Sequence, residues 1–149
     1  MENDITCTLR VTAPESELAR VTVRRHQFLV GRPVELDDAS GRIAALEYAL
    51  GALAGEIVNG LRVFAARRRV AIEAIEALVT GEVSHGLAYL EVVGEPGPPT
   101  IARIRVQVFV ASPDAAAVQR VWTALLDRLP LACTLRLAVP IELELSITR

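Results

Sequence analysis

The side chains that could do chemistry in this 149-residue chain are a few scattered carboxylates, thiols and imidazoles. Glu47 and Glu56 lie on one predicted helix, and at about 100° per residue they point to opposite sides of it. They therefore cannot form a carboxylate pair for general acid–base catalysis. Asn59 lies one turn beyond Glu56, and Gly55 and Gly60 leave room beside the backbone. We expect Glu56 to pair with an arginine, to bind a ligand, or to act alone as an acid or base with a pKa raised by burial.

The two thiols, Cys7 and Cys133, do not indicate a disulfide framework, and both are expected to be small buried hydrophobic residues. Cys7 falls on the apolar face of the first predicted strand, and Cys133 falls near the start of a later one. Neither His26 nor His85 has a second ligand at metal-binding spacing, so no metal site is predicted. No cofactor is expected either. His26 is expected to be structural and His85 to be solvated in a loop.

The elements that must position these groups alternate between strands and helices. Strands are predicted near residues 5–12, 20–25, 26–30, 74–83, 104–110 and 141–148. Residues 13–16 are expected to break the first strand. This order of strands, long helix, strands, helix and strand favours an α+β fold over a doubly wound sheet.

Two helices are predicted. The first, over residues 41–68, carries one narrow apolar stripe and is expected to be buried nearly all round. Arg67 to Arg69 lie at the C-terminal end of this helix, where the helix dipole is negative and favours positive charge. They are expected to be solvated rather than to bind an anion. The second helix is predicted to begin with Ser112 as its cap and to stop at Pro130. Its Trp122 is expected in the core or in a dimer contact.

Composition limits the classes of function. The length predicts one domain over residues 1–149, with a core of Leu, Val, Ile and Ala, because 52% of the chain is hydrophobic and only 4% aromatic. A net charge of −2 gives no electrostatic support for nucleic-acid binding. We see no leader at residues 1–4 and no uncharged apolar run long enough to span a membrane. The cytoplasm is the expected location.

The run from Leu46 to Glu56 reads Leu-Glu-Tyr-Ala-Leu-Gly-Ala-Leu-Ala-Gly-Glu. It resembles the cysteine helix of the OsmC/Ohr superfamily of peroxide-reducing proteins, whose pattern is roughly Leu-Glu-Tyr-x-Leu-x-Ala-Leu-Ala-Gly-Cys. The likeness covers nearly the whole chain from about residue 20, through segments at 26–30, 63–68, 75–83, 103–106 and 134–143. By this resemblance the fold is α+β, with two helices and antiparallel sheets, and the unit is an intertwined homodimer with its sites at the subunit interface.

The chain departs from the family pattern at the two positions that would carry the redox chemistry. Glu56 stands where the resemblance places the first, peroxide-attacking cysteine, and Leu129 stands where it places the second. Glu47 matches the glutamate of the family motif. Thiol peroxidases need a thiolate that becomes a sulfenic acid, and a second thiol that condenses with it. A carboxylate and a leucine can do neither.

The leading hypothesis is therefore a redox-inactive homodimer that binds a small apolar ligand or has a structural role in a stress-related setting. Glu56, Asn59 and Leu129 are the candidate site residues, with Glu47 as a further catalytic candidate. The alternatives are a repurposed enzyme that uses Glu56 as a general acid or base, a residual organic hydroperoxide reductase, and an interaction protein that docks a partner on its arginine-bearing strands. No nucleic acid, metal or membrane partner is expected.

Overall fold

The computed structural model describes residues 5–37 and 39–149. The expected absence of a leader at residues 1–4 lies outside the described residues. The chain divides into two compact units, and the boundary falls between Ala49 and Leu50. Each unit is described by itself.

The first unit contains a three-stranded antiparallel sheet. Its strands are β1 (Arg10–Glu15), β2 (Leu18–Val23) and β3 (His26–Val30), in the order β1-β2-β3. Two residues join each pair of strands. The turns contain Glu17 at φ 59° and Arg24 at φ 54°, in the left-handed region that tight hairpins use. The prediction for β3 is confirmed residue for residue.

The prediction for the first strand is wrong by several residues. β1 begins at Arg10, not near Ile5, and it continues through Pro14. β1 is an edge strand whose register shifts between Thr12 and Glu15, and a proline is tolerated on such an edge because it has no N–H to pair. Cys7 precedes β1 and is exposed, so it is not the buried residue that its alternating pattern predicted.

A long helix, α1 (Ala45–Arg67), begins in the first unit and continues into the second. The backbone N–H of Ala44 donates to the Glu47 carboxylate at 2.7 Å, which is half of a capping box. Within the second unit Leu53, Ile57 and Leu61 are fully buried. The opposite side is exposed, so in a single chain the helix is not buried all round as predicted.

α1 is the one helix in the described part of the chain that is long and apolar enough to cross a membrane. Its most apolar 18-residue window has a mean hydropathy of 1.3, and 28% of that window is buried within the chain. Length and composition alone do not separate a membrane span from a core helix. The fully buried side chains of α1 belong to the hydrophobic core of the second unit.

The second unit holds the core and a mixed sheet. β4 (Ala74–Ser84) pairs antiparallel with β5 (Thr100–Ala111), and β5 pairs parallel with β6 (Ile141–Thr148). The α+β class is confirmed, but the expected antiparallel pairing fails for β5 and β6. A helical crossover connects these two strands and returns the chain in the same direction. The inward positions of β5 are the fully buried Ile104, Val106, Val108 and Val110.

The crossover contains two helices where one was predicted. α2 (Ala115–Leu125) passes into a 3₁₀ turn at residues 126–128, and α3 (Pro130–Leu135) follows. Asp114, not Ser112, caps α2 by accepting the Ala117 N–H at 2.9 Å. The prediction that Pro130 only stops a helix is wrong. It occupies the first position of α3, where a proline has no N–H that needs a partner.

Candidate functional site

The Glu56 carboxylate lies at the start of α3. Its Oε1 accepts the backbone N–H of Leu131 at 2.8 Å, and its Oε2 accepts the backbone N–H of Ala132 at 2.9 Å. These are the second and third residues of α3, whose N–H groups have no partner within a helix that begins at Pro130. The residue before the helix is Leu129, which has no side-chain oxygen to cap it. Glu56 therefore supplies the cap from a distant part of the sequence.

This arrangement is favourable for electrostatic reasons. The free N–H groups at a helix start carry partial positive charge, and a carboxylate is stabilised near them. Glu56 is half-buried, so the two hydrogen bonds also satisfy polar groups that water reaches poorly. The glutamate has a structural function that needs no ligand.

The expected arginine partner of Glu56 is therefore wrong. Within residues 5–37 and 39–149, Glu56 forms no ion pair with an arginine, and the groups that bind its two oxygens are backbone amides. The pattern around Glu56 could not reveal this, since a backbone N–H donor leaves no signature in the sequence. A role of Glu56 in acid–base catalysis stays a prediction.

Leu129 and Asn59 flank this contact. Leu129 is only 4% exposed and belongs to the hydrophobic core. A Cβ placed on Gly60 would lie 2.7 Å from Leu129 Cδ2 and 3.0 Å from Leu125 Cδ1. The glycine thus allows the α2–α3 segment to approach α1 closely. Asn59 is exposed. Glu56 and Leu129 both lie at the start of α3.

Glu47 also serves a helix end. The hydrogen bond from the Ala44 N–H makes it the capping glutamate of α1. Its spacing three residues after the cap is a sequence signal for this role. A catalytic role for Glu47 stays a prediction.

The structure also brings together a thiol and an arginine that the sequence analysis did not connect. Arg136 Nη2 lies 3.4 Å from Cys133 Sγ and donates to the Leu126 carbonyl at 2.7 Å. Cys133 lies in α3 and is partly exposed, so the prediction that it is buried at a strand start is wrong. A spacing of three residues on a helix predicts such a contact once the helix is recognised.

The remaining predicted groups have ordinary surroundings. His26 is exposed, and His85 Nδ1 lies 3.6 Å from Glu95 Oε2 in the loop after β4. The Arg67 and Arg68 guanidinium groups lie 5.6 and 5.2 Å from the centre of the Phe64 ring. Trp122 is buried in the core of the second unit, which is one of the two placements predicted for it, the core or a dimer contact. No group of three or more His, Cys, Asp or Glu in the described part of the chain is placed to hold a metal ion.

The arginines of β5 pair with glutamates on the neighbouring strands. Arg103 Nη2 donates to Glu82 at 2.6 Å, and Arg105 Nε donates to Glu142 at 3.1 Å. The hydrogen bond with Glu82, followed by the charges of Glu82 and Glu142, raises the pKa of Arg103 above its ordinary value. Both arginines thus have partners within the chain, which gives no support to their docking another protein.

Comparison with known proteins finds likeness in structure only. No family model matches the chain, and no curated protein matches it. The chain is similar to the OsmC-like protein of Mycoplasma pneumoniae, with a TM-score of 0.81 and 15% identity over 98% of this chain and 99% of that one. It is also similar to the organic hydroperoxide resistance protein OsmC of Legionella pneumophila, with a TM-score of 0.69 and 11% identity over 96% and 99% of the two chains.

A third similar structure is the organic hydroperoxide resistance protein OhrB of Bacillus subtilis. Its TM-score is 0.62, with 17% identity over 93% of this chain and 98% of that one. Identities this low establish the fold and nothing about the chemistry. The predicted OsmC-like fold is confirmed.

Proposed function

We propose that this chain, with its OsmC-like fold, is a cytoplasmic homodimer in a stress-related setting that does not reduce peroxides. It binds a small apolar ligand or has a structural role. The observation that carries this proposal is the Glu56 carboxylate, bound by the N–H groups of Leu131 and Ala132. At the positions that the resemblance assigns to two thiols, the chain has a helix cap and the core residue Leu129.

We expect the purified protein to leave organic peroxides intact. With cumene hydroperoxide and a dithiol reductant, the rate should equal that of buffer, because a carboxylate has no sulfur to oxidise. Peroxide consumption followed at neutral pH checks this, with an organic hydroperoxide resistance protein assayed in parallel. Catalytic turnover by the native protein would overturn the proposal.

The homodimer is supported by the sparse core of the first unit. Among its described residues, only Val21 and Ala44 are buried apolar side chains. All six residues of β1, including Val11, are exposed, and so are Leu9 and Leu29. A sheet with so little buried apolar surface is not stable without a covering surface. A second copy of the chain is the covering surface that we propose.

Two glycines of α1 also support a second copy. A Cβ added to Gly51 or Gly55 would meet nothing within 4 Å. Each glycine destabilises a helix by roughly 0.8–1 kcal/mol relative to alanine, and the chain itself gives no reason for either one. Small residues on a helix face allow the close approach of another backbone. We propose that this backbone belongs to the second copy.

Gly55→Leu tests this interface. The side chain has room within one chain, so the variant should fold, but it should weaken self-association at least tenfold if a second copy packs there. Sedimentation velocity over a concentration series measures the change. Gln119→Leu, on the exposed side of α2, is the matched control and should leave association unchanged. A native protein that sediments as a monomer contradicts the homodimer.

A second candidate function is a residual organic hydroperoxide reductase, favoured by the contact between Cys133 and Arg136. A partly exposed thiol beside an arginine is typical of reactive cysteines. The Cys133 thiolate would attack a peroxide oxygen, the O–O bond would break, and the departing alkoxide would take a proton to form the alcohol. The resulting sulfenic acid would need an external dithiol, which is oxidised to a disulfide while water is released.

The two candidates are separated by one substitution. If turnover of cumene hydroperoxide is observed and Cys133→Ser abolishes it, the second candidate is correct. Cys7→Ser is the control, because Cys7 is exposed outside the strands. Turnover that survives Cys133→Ser contradicts this second candidate.

A further inference from the structure

Residues 5–9 precede β1 and belong to no strand in the described part of the chain. β1 begins at Arg10, which pairs with Thr22, and β2 ends one residue later at Val23. β2 therefore has no residue left that could pair with residues 5–8. Among the described strands, none lies on the other edge of β1 either. An edge of unpaired backbone N–H and C=O groups is a template on which another strand can pair.

The sequence of this segment is nevertheless that of a half-buried strand. Its apolar and polar residues alternate strictly, in the order Ile5, Thr6, Cys7, Thr8 and Leu9. All five residues are exposed in the single chain, and Ile5 is 91% exposed. The pattern therefore predicts a strand whose pairing partner and covering surface are not supplied by the single chain.

The segment is complementary to itself. When two antiparallel copies are aligned with Cys7 opposite Cys7, Ile5 is opposite Leu9 and Thr6 is opposite Thr8. Cross-strand threonine pairs stabilise antiparallel strands. The other pairs bring the apolar side chains of both copies together on one face, where they can be removed from water together. No other alignment of residues 5–9 with themselves matches all five positions by chemical type.

The positions that flank the segment continue this complementarity. In the same alignment Asp4 is opposite Arg10, and the two carry opposite charges, which is favourable across antiparallel strands. Arg10 forms no ion pair with any residue that the structure describes. A two-fold axis perpendicular to two neighbouring strands makes them antiparallel, and it gives the isologous contact of a symmetric dimer. The chain thus carries a partner for residues 5–9 within its own sequence.

We infer that residues 5–9 pair antiparallel with the same residues of a second copy, with the two-fold axis at Cys7. This register puts Ile5, Cys7 and Leu9 of both copies on one face, which continues along the chain to the exposed Val11 of β1. The inference rests on the proposed homodimer, and it adds the strands that join the first-unit sheets of the two copies. It does not require the absence of peroxidase activity.

Disulfide formation at Cys7 tests this register. Directly opposite residues of antiparallel strands have Cα atoms about 4.5–5.5 Å apart, which is a separation that a disulfide can span. Diamide, which takes one hydrogen from each of two thiols, should therefore convert most of the full-length protein to a covalent dimer on non-reducing gels. The rate should not change with protein concentration, because the thiols are already paired. Cys7→Ser, which keeps Cys133, is the control and should give no covalent dimer.

Two matched variants locate the register to one residue. Thr6→Cys and Thr8→Cys are each combined with Cys7→Ser, so that their thiols are opposite each other only when they lie in different copies. Within either variant alone, each new thiol is diagonal to its counterpart at about 7–8 Å, which is beyond the Cβ separation of a disulfide. The two co-expressed variants should therefore cross-link, and each variant alone should not.

Several outcomes would overturn the inference. These are no covalent dimer from the native protein, a rate proportional to protein concentration, a covalent dimer from Cys7→Ser, and equal cross-linking of the separate and co-expressed threonine variants. Sedimentation velocity of the unoxidised protein separates this result from the proposed function. A homodimer that does not cross-link at Cys7 contradicts the paired strands alone, whereas a monomer contradicts the homodimer as well.

Discussion

Glu56→Ala is expected to lower the free energy of unfolding by about 2 kcal/mol. The substitution removes the acceptors of the N–H groups of Leu131 and Ala132, and an unsatisfied buried donor costs about 1–3 kcal/mol. Because water can reach part of this site, we expect the combined cost of the two unsatisfied donors to lie at the low end of its range. For a chain of this length the melting temperature should fall by about 4–8 °C. Thermal and urea denaturation measure both quantities.

Glu56→Gln keeps one acceptor oxygen and turns an NH₂ group toward the other donor. It should therefore lose at least half as much stability as the alanine variant. Glu76→Ala removes an exposed carboxylate from β4 and is expected to stay within about 0.5 kcal/mol of the native protein. A Glu56→Ala variant as stable as the native protein would show that the carboxylate does not cap α3 in solution.

Gly60→Val is expected to destabilise the fold by about 1–3 kcal/mol through overpacking. A Cβ at this position would lie 2.7 Å from Leu129 Cδ2, and Leu129 and Leu125 are 4% and 0% exposed, so neither side chain can move into solvent. The penalty should exceed the gain from replacing a helical glycine. Urea denaturation compares the variant with Asn59→Ala at the exposed neighbouring position, which should change stability by less than about 0.5 kcal/mol. Equal stability of the two variants contradicts the close packing at Gly60.

Much of the fold followed from local patterns. The alternation of β6 and the apolar stripe of α1 predicted these elements within a few residues, because each element buries one face and its periodicity records that face. The prediction of the first strand was wrong for a related reason. The apolar residues that begin at Ile5 alternate, but pairing with β2 starts only at Arg10, and alternation does not encode where a partner strand begins.

The candidate site was less predictable because its decisive contact is long-range. Glu56 and Leu131 are 75 positions apart, and the groups that bind the carboxylate are backbone amides. Pro130 is equally ambiguous, since a proline ends one helix and is also favoured at the first position of the next. The start of α3 at Pro130 can be recognised only if one knows that the unpaired N–H groups of this helix have an acceptor elsewhere in the chain.

The dependence of α3 on Glu56 also makes it difficult for this chain to acquire a thiol at position 56. A cysteine at position 56 would carry its sulfur one bond from Cβ, whereas the glutamate oxygens lie three bonds away, so both hydrogen bonds to α3 would be lost. A thiol in place of Leu129 would remove a side chain that fills the space beside Gly60. Either single substitution is expected to weaken the protein, so the structure that has formed around the carboxylate holds it in place.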